Sequence, residues 1–160
     1  NSSEVRTRGL HIVMERLFER GWEVVETNTE GRKNKNYDIR AVKNGLSVKL
    51  KVTTKRHKEK TTLAVRWEKD KPTFNKNLGD KADFLVMVRY WEAKNDACFI
   101  ISISEAEKKA DWMAEELKKL GNEPMYLQPY TGNRVRNTRF KFNKSEKWEP
   151  YKEAWESLGA

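Results

Sequence analysis

The spacing of hydrophobic and polar residues at the start of the chain predicts a helix followed by a strand. Residues 3–20 carry apolar side chains three and four positions apart, which is typical of one face of an amphipathic helix. Gly21 follows this segment as a stop signal. Residues 22–27 are rich in β-branched and aromatic residues and predict a strand. The predicted apolar face of the helix consists of Leu10, Val13, Met14, Leu17 and Phe18.

Residues 37–52 predict a β-hairpin. Asn44 and Gly45 separate two alternating runs, and both residues tolerate the positive φ of a type I′ turn. This turn places one row of apolar pairs on a face that we expect to be buried: Tyr37 with Val52, Ile39 with Leu50, and Ala41 with Val48. The other face pairs Asp38 with Lys51, Arg40 with Lys49, and Val42 with Ser47.

The middle of the chain predicts three more strands and a second helix. A short strand is expected over residues 61–67. Residues 83–90 and 97–103 are almost continuously apolar, which indicates central strands covered on both faces. Ser104 and Glu107 have the spacing of a capping box and open a helix that runs to about residue 120.

The last third of the chain is less regular. An alternating stretch over residues 134–142 is a further strand candidate. A short amphipathic helix is expected near the end, and its apolar residues are Trp148, Tyr151, Trp155 and Leu158. Helices that flank several strands favour an α/β fold, a mixed β-sheet with helices packed on it. We expect a single domain over residues 1–160, with a core at about 5–120 and a C-terminal extension at 121–160.

The chain is strongly basic. Lys and Arg number 33 against 24 Asp and Glu, a formal net charge of +9. An excess of this size points to an anionic partner, and nucleic acid, DNA or RNA, is the usual one. Cationic residues flank the predicted hairpin, and the candidate nucleic-acid-binding residues are Arg32, Lys33, Lys35, Lys55, Arg56, Lys58 and Lys60.

The composition excludes several classes of protein. One cysteine excludes a disulfide scaffold and a multi-cysteine zinc site, and the glycines form neither a P-loop nor a dinucleotide-binding motif. There is no apolar stretch of the ~18 residues that a membrane-spanning helix needs. We therefore expect a soluble, cytoplasmic protein with no membrane partner.

The predicted neighbours Asp38 and Lys51 allow two interpretations. A cross-strand ion pair on a solvated face would stabilise the sheet by about 1 kcal/mol or less. A metal-assisted phosphodiester site also needs a carboxylate for Mg²⁺ and a lysine near the attacked phosphate, within a positively charged groove. The surrounding lysines and arginines favour the second interpretation.

With these elements the chain resembles the PD-(D/E)XK nuclease superfamily. The resemblance is carried by the leading helix, the Gly21-Trp22 entry to the first strand, Asp38, and the Lys49-Leu50-Lys51 element. It implies a restriction-endonuclease-like fold and an endonuclease of restriction or homing type that hydrolyses DNA with Mg²⁺ or Mn²⁺. Asp38 would bind the metal, and Lys51 would orient or deprotonate the water or stabilise charge on the phosphate. A homodimer is a further expectation from the superfamily.

One position departs from that superfamily. Lys49 stands in the catalytic motif where its members usually have Glu, Asp or Gln, so an ammonium replaces a metal ligand. Three explanations stay open: a carboxylate is recruited from elsewhere, with Glu26 the nearest candidate; the protein is an inactive relative that keeps nucleic-acid binding; or the sequence carries a disabling substitution. The alternatives to a DNA endonuclease are therefore a catalytically silent nucleic-acid-binding module and a toxin-type RNase.

Overall fold

The computed structural model describes residues 2–27, 37–56, 65–67, 82–92, 96–106, 108, 125–127 and 149–159. Helix α1 spans Ser2–Glu19. The strands are β1 (Glu23–Thr27), β2 (Ile39–Lys43), β3 (Leu46–Arg56), β4 (Val65–Trp67), β5 (Phe84–Tyr90), β6 (Ala97–Ser102) and β7 (Met125–Leu127). Two short 3-10 helices follow at Glu149–Tyr151 and Trp155–Leu158.

Five strands form one mixed sheet in the order β1-β2-β3-β5-β6. The pairs β1–β2, β2–β3 and β5–β6 are antiparallel, and β3–β5 is parallel. Strands β4 and β7 pair antiparallel in a separate two-stranded sheet. A mixed sheet with a helix packed on it confirms the predicted α/β class. The limits expected for the domain and its core stay a prediction.

The predicted hairpin is confirmed in its turn and in its register. Lys43 pairs with Leu46, and Ile39 pairs with Leu50. Asn44 and Gly45 have φ values of 50° and 79°, the positive values that a type I′ turn requires. Along β3 the even-numbered residues from Val48 to Val52 are buried, whereas Lys49 and Lys51 are half-buried between them. The two lysines therefore lie on one face of the sheet, as the alternation predicts.

The register changes at the beginning of β2, and here the predicted pairing of Tyr37 with Val52 is wrong. The ladder ends at Ile39 and Leu50. The Asp38 N–H donates to the Leu50 carbonyl at 2.7 Å, which shifts the chain out of the regular pairing by one residue. The Tyr37 hydroxyl instead donates to Glu26 on β1, at 2.6 Å.

Helix α1 packs against β3, with further contacts to β1 and β5. Leu10, Val13 and Leu17 are buried as predicted, but Ile12 is also fully buried and Phe18 is 59% exposed. The helix contacts β1, β3 and β5, so the buried part of its surface includes Ile12 and excludes Phe18. Gly9 of α1 lies directly against Thr54 of β3. A Cβ at position 9 would overlap the threonine side chain, so this contact requires glycine.

Strands β5 and β6 have five consecutive buried residues each, which confirms that both are covered on both faces. Strand β5 is central, between β3 and β6. The prediction of a central position for β6 is wrong within the described residues, where it is the last strand of the sheet. The C-terminal residues contact β6 through an isolated antiparallel β-bridge between Phe99 and Lys152.

The C-terminal residues pack into the core instead of forming the predicted helix. Trp155 and Leu158 are 2% and 3% exposed and belong to the same hydrophobic cluster as α1 and the sheet. Pro150 and the positive φ of Glu153, 51°, interrupt helical geometry and leave two short 3-10 turns.

Several predicted elements lie wholly or partly outside the described residues. The strand over 134–142 lies outside them, as does most of the helix over 104–120, of which residues 104–106 and 108 are described as helical. The strand expected over 61–67 is described only as Val65–Trp67. Within the described part of the chain, no helix has the length and apolar character needed to cross a membrane.

Candidate functional site

The candidate site is centred on the Asp38 carboxylate, which lies at the entry to β2 and is 1% exposed. Its Oδ1 accepts a hydrogen bond from Arg6 Nη2 at 2.9 Å. Its Oδ2 accepts one from the Val52 backbone N–H at 2.7 Å and lies 3.6 Å from Nζ of Lys51. A buried carboxylate is stable only when it is paired and hydrogen-bonded, and these three contacts meet that condition.

Asp38 is contacted from two elements that meet at the edge of the hairpin. Arg6 belongs to α1, and Lys51 and Val52 belong to β3. The carboxylate therefore holds an arginine of the helix and a lysine of the sheet next to each other. The chain leaves the regular register at Asp38, and the alternation of the sequence does not reveal this shift.

A groove opens beside this carboxylate, along the C-terminal half of β3. Four of its lining side chains are cationic, and none of the eight lining residues is acidic. The lining residues are Val5, Arg6, Lys51, Val52, Thr53, Thr54, Lys55 and Arg56. We call this feature the β3 groove. Cations that converge on one concave surface attract an anionic ligand and raise its local concentration.

At the end of the β3 groove Arg56 lies over an aromatic ring. Its guanidinium carbon is 4.7 Å from the centroid of the Trp91 ring, which follows β5. Stacking of this kind holds a guanidinium in one orientation while it keeps its charge. The groove therefore ends at an arginine whose guanidinium faces an aromatic ring.

Lys49 and Glu26 lie on a neighbouring part of the sheet, around Tyr37. The Lys49 ammonium is 5.9 Å from the centroid of the Tyr37 ring, and the hydroxyl of this tyrosine donates to Oε2 of Glu26. Glu26 pairs with Arg40 across β1 and β2, next to a bulge in β1. The Lys49 backbone N–H donates to Oδ2 of Asp83 at 2.8 Å. The metal-ligand role predicted for Glu26 stays a prediction.

The side chains around Asp38 do not fit a divalent metal ion. Among the described residues, no group of three or more Asp, Glu, His or Cys residues lies close enough together to hold one. Both oxygens of Asp38 already accept hydrogen bonds, one of them from a guanidinium. Mg²⁺ prefers several oxygen ligands in an octahedral arrangement. One carboxylate next to two cations does not offer this ligand set.

The structure brings Asp38, Lys51, Lys55 and Arg56 of the predicted site residues to one place. Five further cationic candidates lie outside the described residues: Arg32, Lys33, Lys35, Lys58 and Lys60.

Arg6 is the residue of the candidate site that the sequence analysis missed. It lies four residues before Leu10, on the helical face that also carries Val13 and Leu17, so it points to the sheet as they do. A charged residue in line with a buried apolar stripe was the available signal. Its partner is 32 residues away, and the pattern does not identify it.

No protein-family model matches the chain, and no curated protein matches it. Among solved structures the fold is similar to that of a bacterial homing endonuclease, I-Ssp6803I. The TM-score is 0.53 at 14% sequence identity, and the match covers 99% of this chain and 91% of the other. At this level of identity the similarity concerns the fold, which is thus an α/β fold of the kind found in an endonuclease.

Proposed function

We propose that this protein binds DNA and that the β3 groove takes the phosphodiester backbone. The observation that carries the proposal is the convergence of Arg6, Lys51, Lys55 and Arg56 on one groove without an acidic lining residue. Each phosphate that is neutralised by Lys or Arg releases condensed counterions, so such a groove binds nucleic acid with a strong dependence on salt.

The fold supports DNA as the ligand. The similar solved structure is described as a homing endonuclease, and its fold extends over nearly the whole of this chain. The order of α1 and the first three strands also agrees with the resemblance to the PD-(D/E)XK superfamily, which remains part of this proposal. Neither RNA nor a homodimer gains support from the fold.

Hydrolysis of the phosphodiester is a second candidate, favoured by the contact between Asp38 and Lys51. The Lys51 side chain is 36% exposed. Its ammonium can therefore lie against a phosphate oxygen and stabilise the charge that develops when water attacks phosphorus. Mg²⁺ or Mn²⁺ is expected from the superfamily, but the side chains around Asp38 do not fit such an ion, and no metal-dependent step follows from them. Lys49 adds a cation on the same strand and favours binding over hydrolysis.

Binding is tested with a fluorescent DNA duplex in a salt titration. The variant Lys55→Ala/Arg56→Ala removes two cations of the β3 groove. We expect the dissociation constant to rise at least about tenfold. The slope of the logarithm of the binding constant against the logarithm of the salt concentration should fall by about two, because two fewer counterions are released. The matched control is Arg8→Ala/Lys152→Ala, which removes the same charge from exposed positions outside the groove. Equal losses in both double variants would show that net charge alone is responsible, and would contradict the proposed groove.

Hydrolysis is tested with supercoiled plasmid and transfer RNA, each in Mg²⁺, Mn²⁺ or EDTA. Plasmid cleavage that disappears in Asp38→Ala and in Lys51→Ala would support the endonuclease. Binding of the duplex without cleavage would leave the DNA-binding function and exclude the second candidate. Cleavage of transfer RNA alone would favour the toxin-type RNase and contradict DNA as the ligand.

A further inference from the structure

We propose that the Arg6 guanidinium takes the place of a divalent cation on Asp38, so that the β3 groove binds a DNA phosphate with cationic side chains alone. This inference rests on the proposed DNA binding and specifies how the same site recognises its ligand. It follows from the mismatch between the residues at this site and the metal that the superfamily resemblance implies.

The first argument is the occupancy of the two carboxylate oxygens. Arg6 Nη2 lies 2.9 Å from Oδ1, and the Val52 N–H lies 2.7 Å from Oδ2. A divalent ion on Oδ1 at the usual ~2.1 Å would have to displace the guanidinium, and the two positive charges would repel each other. The 1% exposure of Asp38 leaves little of the carboxylate open to another ligand.

The second argument is the charge around this carboxylate. Arg6 and Lys51 both contact Asp38, so two cationic side chains face one acid. A guanidinium stays protonated at every pH at which proteins fold, so the positive charge of this site does not depend on a bound ion.

The third argument is the position of Arg6 in the β3 groove. Its side chain is 31% exposed and lines the groove together with Lys51. A guanidinium carries five N–H donors in a planar fork, which suits the oxygens of a phosphate as well as those of a carboxylate. Asp38 therefore acts as a buried anchor that holds Arg6 and Lys51 towards the phosphate and does not itself contact DNA.

The decisive experiment uses the unmodified protein. The dissociation constant for a DNA duplex is measured by fluorescence anisotropy in EDTA, in Mg²⁺ and in Ca²⁺ at matched ionic strength. We expect the three values to agree within about twofold, because the positive charge is supplied by side chains. Thermal unfolding in Mn²⁺ and in EDTA should give the same Tm. A tenfold loss of binding in EDTA would overturn the inference, and so would a rise in Tm with Mn²⁺ that is absent in Asp38→Asn.

Variants of Arg6 test the residue itself. Arg6→Ala should weaken binding about tenfold in EDTA, and Arg6→Lys, which keeps the charge but not the fork, should lose less. Arg8→Ala, an exposed arginine on the same helix, is the matched control and should bind as the unmodified protein does. Circular dichroism shows whether each variant is folded, and if Arg6→Ala is not, Arg6→Lys and the comparison of buffers still decide the question. Equal binding by Arg6→Ala and Arg8→Ala would overturn the inference.

The failure of this inference can be told apart from the failure of the proposed function. Tight binding that requires a divalent ion would overturn the inference and leave DNA binding intact. Absence of binding in every buffer at low salt would overturn both.

Discussion

Nζ of Lys51 lies 3.6 Å from Oδ2 of Asp38, although the ladder between β2 and β3 ends one residue before it would pair them. The Asp38 backbone leaves the regular register and bonds to Leu50, and the two side chains still meet. The carboxylate also accepts the Val52 N–H and the Arg6 guanidinium. One buried acid thus connects the helix, the hairpin and the β3 groove.

Asp38→Ala should destabilise the protein more than Lys51→Ala does. Removal of the carboxylate leaves the buried Val52 N–H without its acceptor, at a cost of about 1–3 kcal/mol. Lys51 is partly exposed, and its loss should cost about 0–1 kcal/mol. Urea unfolding of both variants measures the difference. Equal losses would show that the carboxylate is stabilised chiefly by the lysine and not by the backbone.

Gly9→Ala should destabilise the packing of α1 on the sheet. The added Cβ would overlap the Thr54 side chain, and overpacking of this kind costs about 1–3 kcal/mol. The overlap would push α1 away from β3 and so move Arg6, which lies one helical turn from Gly9. DNA binding should therefore weaken as well. Thr54→Ala in the Gly9→Ala background should restore part of the stability, because it removes two of the three overlapping atoms. If stability is not restored, the destabilisation by Gly9→Ala does not arise from the contact with Thr54.

Glu153→Ala should weaken the docking of the C-terminal residues on β6. The Glu153 carboxylate accepts the Cys98 N–H at 2.8 Å and the Trp155 Nε1–H at 2.9 Å, and Arg16 Nε lies 3.3 Å from it. Loss of these bonds should cost about 1–3 kcal/mol, measured by urea unfolding.

Glu153→Gly is the matched control for the backbone. The φ of 51° at this position suits glycine better than alanine, so Glu153→Gly should be more stable than Glu153→Ala by about 1 kcal/mol. If the alanine variant is the more stable of the two, the positive φ is not maintained in solution.

The free energy of unfolding should fall at high pH, because Tyr151 loses its proton there. Burial, followed by the hydrogen bond to Glu105, raises the pKa of Tyr151 from 10.0 to about 12. Because the pKa is higher in the folded protein, the stability that Tyr151 contributes is fully present below pH 10.0 and is lost as the pH rises through about 12. The free energy of unfolding between pH 9 and 12 should therefore fall more steeply for the unmodified protein than for Tyr151→Phe. Identical curves would exclude this contribution.

The backbone conformation of the C-terminal residues could not be predicted from the local sequence pattern. The spacing of Trp155 and Leu158 indicates their burial, and Tyr151 is half-buried. The spacing does not indicate the backbone conformation, which departs from helical geometry at Glu153. The break is stabilised by bonds to Cys98, 55 residues earlier in the chain. A contact between such distant residues leaves no periodic signal in either segment.

The sequence by itself determined the α1 helix, the turn at Asn44 and Gly45, and the register from Ile39 to Leu50. Each of these depends on residues only a few positions apart, whose spacing and backbone preferences are legible in the chain. Only the tertiary structure decided that Arg6 binds Asp38, because packing of α1 across β3 brings together residues from two separate elements. It also decided that the cations of β3 line a groove, since the shape of a surface depends on how elements pack and not on their order.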